Sequence, residues 1–291
     1  MIKTLKIVTI TILGSIIFFS CGDSVPTDYI PRNIVEAYLV VDEPISGLRL
    51  MRSLPVTDTF ELSKALISDA EVKIIQGEQE FQLEFRGVET GDPGYYYPDT
   101  SYKVLSQEKY ELEINLSDGS KITAETFTPA PTGWIKRAPD KIYYPKDTLK
   151  LPANDTLKIE WDSIPGFNVY GLSIRCLDTL EYGKYLDPPR PDEKNRRILK
   201  PWSDDDDFYE LARWYPIPNN KTPVVWSAFK YYGLHELSIY VPDYNFLRWY
   251  LQNATRGAAD PLLNSVHGNG FGCFGSVAVI RDTSFLVKNR P

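Results

Sequence analysis

The stretch Tyr110-Glu111-Leu112-Glu113-Ile114-Asn115-Leu116-Ser117-Asp118-Gly119-Ser120-Lys121-Ile122-Thr123-Ala124-Glu125-Thr126 decides the fold class. Tyr110, Leu112, Ile114 and Leu116 alternate with polar residues, and Ile122, Ala124 and Thr126 resume the same period of two, which gives each of two strands one apolar face. Between them, Asp118-Gly119 supplies the positive φ angles of a tight turn. The segment is a β-hairpin in which one face must find a core.

Working outward, Ala70 to Ile75 and Gln79 to Phe85 flank a Gln76-Gly77-Glu78 turn and form a second hairpin. Upstream, Val35, Ala37, Leu39 and Val41 fall on one side of an extended segment, with Glu36 and Tyr38 on the other. Thr128 to Gly133, with Pro129 and Pro131, ends this run of strands and marks a boundary. Short strands at this spacing over residues 33–131 predict an immunoglobulin-like β-sandwich.

Residues 132–291 predict a second β unit. Leu157, Ile159 and Trp161 alternate, Asp162 to Gly166 turns, and Asn168 to Leu177 runs as a strand through Tyr170. A strand ending in tryptophan, a proline-containing turn and a strand carrying tyrosine resemble the opening of a fibronectin type III domain. Residues 178–223 are too long and polar for an inter-strand loop and read as an insertion or an elaborated edge. His235 to Val241 restores strand alternation. Phe246, Leu247, Tyr250, Leu251 and Ala254 then recur at helical spacing after Pro242-Asp243, so a helix is expected over 243–254. Ser276 to Ile280 and Ser284 to Val287 are expected as two closing strands. The fold class is therefore mainly β: two β-sandwich domains, the second with an insertion and one helix.

The first twenty residues are a targeting segment. Lys3 and Lys6 precede an apolar run from Ile7 to Phe19, the pattern of a secretory signal. That run is shorter than the roughly twenty residues needed to cross a hydrocarbon core as a helix. Phe18-Phe19-Ser20-Cys21-Gly22 follows and resembles a lipobox, with small Ser20 before the cut and Cys21 after it. Residues 1–20 are thus expected to be removed and Cys21 to carry the lipid, several acyl chains together anchoring the protein firmly. Residues 21–32, with Gly22, Pro26 and Pro31 among polar residues, read as a tether. Asp does not follow Cys21, so the outer membrane is the expected address.

Net charge is −7 and falls to −9 once Lys3 and Lys6 leave with the signal. An acidic chain without a basic stripe is not built for phosphate backbones, so nucleic acid is not an expected partner. Lipidation of Cys21 leaves Cys176 and Cys273, which admit two readings: a disulfide in an oxidising compartment, or two separate buried thiols. Two histidines, His235 and His267, fit no zinc pattern, so neither metal nor cofactor is expected.

Other constellations yield to bland readings. Gly270-Phe271-Gly272-Cys273-Phe274-Gly275 matches a dinucleotide fingerprint in letters only, because it precedes a strand-like segment instead of opening a helix; its glycines fit a tight crossing or bulge. Cys273 with either histidine lacks an orienting third group, and no Gly-x-Ser-x-Gly elbow occurs. Asp204 to Asp207 lacks the offsets of a calcium loop and reads as a solvated acidic run. Asp-Ser/Thr-aliphatic triplets such as Asp155-Thr156-Leu157 and Asp162-Ser163-Ile164 resemble an O-glycosylation acceptor. The aromatic set Trp202, Trp214, Tyr215, Trp226, Tyr231 and Tyr232 is the candidate binding surface, since exposed rings supply contact area for sugars or a protein partner.

Taken in order, the lipobox at Cys21, Ile34-Val35-Glu36-Ala37, Asp69-Ala70-Glu71-Val72, Gly94-Tyr95-Tyr96, the strand ending at Pro129, Asp243-Tyr244 and Asn269-Gly270-Phe271-Gly272-Cys273-Phe274-Gly275 resemble Bacteroidota outer-membrane lipoproteins of a domain-of-unknown-function family, often encoded beside TonB-dependent receptors. The resemblance implies a cell-envelope protein with no assigned activity. The expected role is a non-catalytic binding or accessory module that docks to a TonB-dependent transporter or binds a glycan or peptide. The alternatives are a structural envelope protein without a small-molecule ligand and, more remotely, an envelope hydrolase.

Overall fold

A computed structural model of the chain describes residues 29–55, 57–144, 157–177, 182–195, 198, 212–223, 229–254 and 264–288. Nine strands come first: β1 Asn33–Val40, β2 Arg49–Arg52, β3 Glu71–Gln76, β4 Gln79–Arg86, β5 Gly94–Tyr96, β6 Lys109–Asn115, β7 Lys121–Phe127, β8 Trp134–Lys136 and β9 Lys141–Tyr143, with a one-turn helix α1, Leu62–Ala65, after β2. Then follow β10 Lys158–Trp161, β11 Tyr170–Cys176, β12 Ala212–Ile217, β13 Lys221–Pro223, β14 Gly233–Pro242, helix α2 Tyr244–Ala254, β15 Val266–Gly268 and β16 Phe271–Val287. The protein is mainly β, as the alternation requires.

The local elements form where the residue pattern puts them. β6 and β7 pair antiparallel around Gly119 at φ +82°, and the Ser120 backbone N–H donates to Asp118 Oδ1 at 2.8 Å. β3 and β4 pair around Gly77 at φ +60°. β1 buries every second residue, with Val35, Ala37, Leu39 and Val41 all in the interior. The helix starts one residue later than expected because Asp243 is its cap: its Oδ1 accepts the Phe246 N–H at 2.8 Å, a preferred use of Asp at this position.

Long-range pairing departs from the two-domain reading. One seven-stranded sheet has the order β12-β11-β14-β16-β1-β2, with β9 added on β16; a six-stranded sheet runs β15-β7-β6-β3-β4-β5, and a three-stranded sheet runs β13-β10-β8. The two segments expected as separate closing strands are one 17-residue strand, β16, and the glycine-rich stretch before them is its first half. That first half lies parallel to β1, from Ile34↔Phe271 to Val40↔Val277. The second half pairs antiparallel with β14, from Pro242↔Val277 to Gly233↔Leu286. A boundary at 131/132 is therefore incorrect as a division of the sheets: residues 264–277 return to the front unit, and β1 and β2 extend a sheet otherwise made by the rear one.

Two cores nevertheless form. The front core gathers Val35, Leu50, Ile74, Phe81, Tyr110, Leu112 and Ile122 between the two larger sheets, and late residues Val266 and Phe274 complete it. The rear core gathers Ile159, Trp161, Tyr170, Leu172, Ile239 and Leu286. Trp161 and Tyr170 meet edge to face with centroids 5.3 Å apart. The segment read as an insertion supplies β12 to one edge of the large sheet and β13 to the small one, so its described part is an elaborated edge. The front unit is nearly closed: Leu48 and Tyr95 exchange backbone hydrogen bonds of 3.2 and 2.7 Å at one side, which joins β2 to β5. Paired edges leave little to recruit a foreign strand.

The glycines of β16 make the crossing possible. A Cβ at Gly272, where φ is +137°, would lie 2.0 Å from the Val35 carbonyl oxygen, and one at Gly275 would lie 2.9 Å from Phe246 of α2. Gly272→Ala is therefore expected to lower stability by roughly 2–4 kcal/mol through strain and overpacking. Gly119→Ala, at positive φ but with no atom within 4 Å of the added carbon, should cost about 1 kcal/mol. Urea unfolding midpoints of the two variants measure the difference, and equal losses would show that the close approach at Gly272 contributes nothing.

Candidate functional site

The end of β7 builds a groove. β15 covers β7 only over Ile122 to Ala124, so the next residues of β7 need other partners. Asn245 Nδ2 donates to the Glu125 carbonyl at 2.8 Å, and Ser276 Oγ donates to the Phe127 carbonyl at 3.2 Å. Between them, the Thr126 hydroxyl donates to Asp243 Oδ2 at 2.5 Å and lies 2.9 Å from Ser276 Oγ. The Asp243 backbone N–H closes the knot on the Ser276 carbonyl at 2.8 Å. One carboxylate thus caps α2 and ties β7 to β16. Burial pushes the Asp243 carboxyl above the usual range, against the hydrogen bonds from Thr126 and Phe246 that favour its charged form.

Above this knot lies a groove of about 540 Å³, lined among others by Lys109, Glu125, Phe127, Tyr244, Asn264 and His267. A smaller hollow of about 370 Å³ continues from it along the sheet and shares Glu125 and His267. Two rings flank the groove, with Phe127 59% and Tyr244 69% exposed. Its polar wall is largely satisfied internally. Lys109 Nζ bridges Glu111 at 2.9 Å and Glu125 at 2.8 Å, and Asn264 Oδ1 accepts the Val266 and Gly272 N–H groups. Beside that wall stand the exposed Phe127 ring and the Tyr244 ring, over which the Arg248 guanidinium lies at 4.8 Å from the centroid.

The residues proposed from sequence fall elsewhere. Trp202 and Trp226, like Asp204 to Asp207, lie outside the described residues, as does Cys21. Trp214 and Tyr215 sit on edge strand β12 opposite Ser173 and Leu172, with only their backbone described. Tyr231 and Tyr232 are core residues, 1% and 4% exposed, and Tyr232 packs edge to face on Tyr144 at 5.7 Å. Those two cannot offer a stacking face, which removes them from the candidate surface. Phe127 carried a legible signal that the reading of aromatics missed: it occupies the outward register of β7, after Thr123 and Glu125, where alternation calls for a polar side chain. Tyr244 and His267 carried none.

Cys176 and Cys273 are both buried, and neither is in a disulfide. Cys176 pairs with His235, which pairs with Ser284, eleven positions beyond Cys273 on β16. That is roughly 35 Å along the strand, so the disulfide reading is incorrect and the separate-thiol reading holds. Cys273 lies beneath α2, where burial and the neighbouring Asp243 push its thiol up to about 12. It stays protonated at neutral pH, and a thiol in that state is a poor nucleophile.

His235 is a buried side chain of the rear unit. Its Nδ1 lies 2.9 Å from the Gly233 carbonyl, which places the proton on Nδ1 and leaves Nε2 as an acceptor that no hydrogen bond from the described residues reaches. Burial pulls its pKa down from 6.5 to about 4. The unfolded imidazole therefore takes a proton at higher pH than the folded one, and the stability preserved by the neutral ring is full above pH 6.5 and lost as pH falls toward 4. Over that window the parent should lose about 3 kcal/mol more than His235→Phe. Urea titrations at the two pH limits test this, and parallel losses in parent and variant would remove His235 as the cause.

Comparison with known proteins adds a family. A search of curated proteins returns no match. Among solved structures, the FN1–FN3 domains of chicken CNTN1 align over 90% of this chain and 68% of that one, at 9% identity and a TM-score of 0.17, a likeness too remote to bear on fold or function. Residues 24–247 match the model of a family described as Domain of unknown function (DUF4249), a span that ends in the first turn of α2. With more than half of its length matched, the chain belongs to the DUF4249 family.

Proposed function

We propose that this protein is a lipid-anchored, non-catalytic accessory module of the bacterial cell envelope, held at the outer membrane by acyl chains on Cys21, and that it docks through the Phe127–Tyr244 groove onto an outer-membrane transporter of the TonB-dependent class. The lipobox, the tether and the resemblance to Bacteroidota lipoproteins support the address. The single observation that carries the docking role is the pair of exposed rings over a rigid, internally satisfied floor. Aromatic anchors on a preorganised surface give binding energy at low entropic cost.

The position of the groove supports the same reading. β7 begins at Lys121, beside the turn that packs against the start of β1, and ends at Phe127. The groove therefore stands about 20 Å along the strand from the end where the tether enters. A short tether would hold it near the membrane surface, within reach of the exposed parts of a membrane partner. A glycan or an extended peptide on the same two rings is the variant of this role that needs no transporter.

Co-purification from gently solubilised membranes tests the proposal. The parent should bring down a transporter in stoichiometric amount, and a Phe127→Ser, Tyr244→Ser double variant should lose it. Because both rings are exposed, the variant should keep its unfolding free energy to within about 0.5 kcal/mol. Recovery of the parent alone overturns docking.

A further inference from the structure

We propose that the end of the front sandwich where the tether enters is a membrane-seating face, and that Tyr29, Ile30, Phe60 and Val88 rest in the headgroup layer of the phospholipid surface to which Cys21 is anchored. The inference rests on the lipid-anchor reading above and adds to it a second, non-covalent contact.

Strand register defines this end. Asn33 opens β1 opposite Arg52, the last residue of β2. Asn33 Nδ2 donates to the Asn269 carbonyl, and Asn269 in turn reaches the β6–β7 turn through its N–H to the Lys121 carbonyl and its Nδ2 to Ser120 Oγ. Glu71 at the start of β3 pairs with Asn115 at the end of β6, and β4 runs back to finish at Arg86 on the same side. The loops that project here are therefore the entry segment before β1, the segment after β2, the turn after β6 and the turn after β4.

Three of those four loops expose large apolar side chains. Ile30 is 79% and Tyr29 38% exposed in the entry segment, Phe60 67% after β2, and Val88 50% after β4. The entry segment is pinned there: the Tyr29 hydroxyl lies 2.5 Å from Ser53 Oγ, and the Arg32 N–H donates to the same oxygen at 2.9 Å. These rings and chains cannot turn inward without breaking the front core, which is already filled. Single exposed apolar residues need no explanation, but several gathered at one end of a folded unit mark an interaction surface.

The occupant follows from chain length. Only Gly22 to Asp28 separate a lipidated Cys21 from Tyr29. Fully extended, those seven residues reach at most about 25 Å. The end carrying Ile30 thus stays within a short distance of the lipid surface at all times, and no other partner has comparable local concentration there. Charge does not choose the partner, because Arg32 and Arg52 share this end with Asp58, Glu71 and Asp118. Partition of apolar side chains into the headgroup and acyl boundary is the driving interaction.

The test uses the full lipidated chain on phosphatidylethanolamine–phosphatidylglycerol vesicles. Phe60→Cys is labelled with an environment-sensitive fluorophore, with Tyr143→Cys as the control, since β9 pairs with the far end of β16. Cys176 and Cys273 are buried and stay unlabelled. The position-60 label should shift to the blue and be quenched about two-fold or more over the control by lipids carrying a quencher at the headgroup boundary. Ile30→Ser together with Val88→Ser, distant from the label's own site, should reduce that quenching without releasing the chain. Flotation of the vesicles reads the anchor independently. A chain that floats but whose position-60 label matches the control overturns the seating face alone, and a chain that fails to float overturns the anchor and the seating face together.

Discussion

The structure depends on one strand serving two partners. Val277 is opposite Val40 on one side and Pro242 on the other. At that point β16 passes from the front sandwich to the rear one without leaving the sheet. A continuous strand transmits position better than a linker between domains, because each residue of it is fixed by ladder hydrogen bonds on at least one side. The price is steric: the parallel approach of β1 to β16 and the helix lying over both require glycine at 272 and 275, where any side chain would meet the Val35 carbonyl or Phe246.

The helix over this crossing is part of the same device. Phe246 meets Tyr38 edge to face at 5.1 Å, and Trp249 meets Phe271 at 5.7 Å. These contacts cover the outer face of β1 and β16, which the glycines leave thin. Asp243 then fixes the start of the helix to Thr126 of the opposite sheet. The groove is a consequence of that closure: where β15 ends, side chains of α2 and β16 substitute for a neighbouring strand, and a depression remains between them.

The front unit exposes large apolar side chains at both of its ends. Its tether end exposes Ile30, Phe60 and Val88, and its other end exposes Phe127 and Tyr244 beside the groove. The rear sandwich continues the axis, since β16 carries on for ten residues beyond Val277. The two exposed apolar sets therefore lie at opposite ends of the front unit. His235 and the raised thiol of Cys273 belong to the interior of this scaffold, where burial is the main cause of their shifted protonation.

Much of the fold was legible in the residues themselves. The two hairpins, the alternation of β1, the Trp161–Tyr170 pair and the helix after Asp243 depend on neighbours within about a dozen positions, and pattern reports such neighbours directly. The glycine-rich stretch was also readable as a close crossing, because only glycine permits one. The pairing of Val35 with Gly272 was not, since nothing in either strand specifies a partner more than two hundred residues away, and loop closure over that distance is repaid only by the assembled core. The same limit hid the groove, whose walls come from β6, β7, α2 and β15, and led Tyr231 and Tyr232 to be read as surface rings when packing had already taken them. By itself, the sequence determined the strands, the turns and the cap; tertiary structure alone decided which strands meet, because pairing is chosen by the shared burial of distant faces.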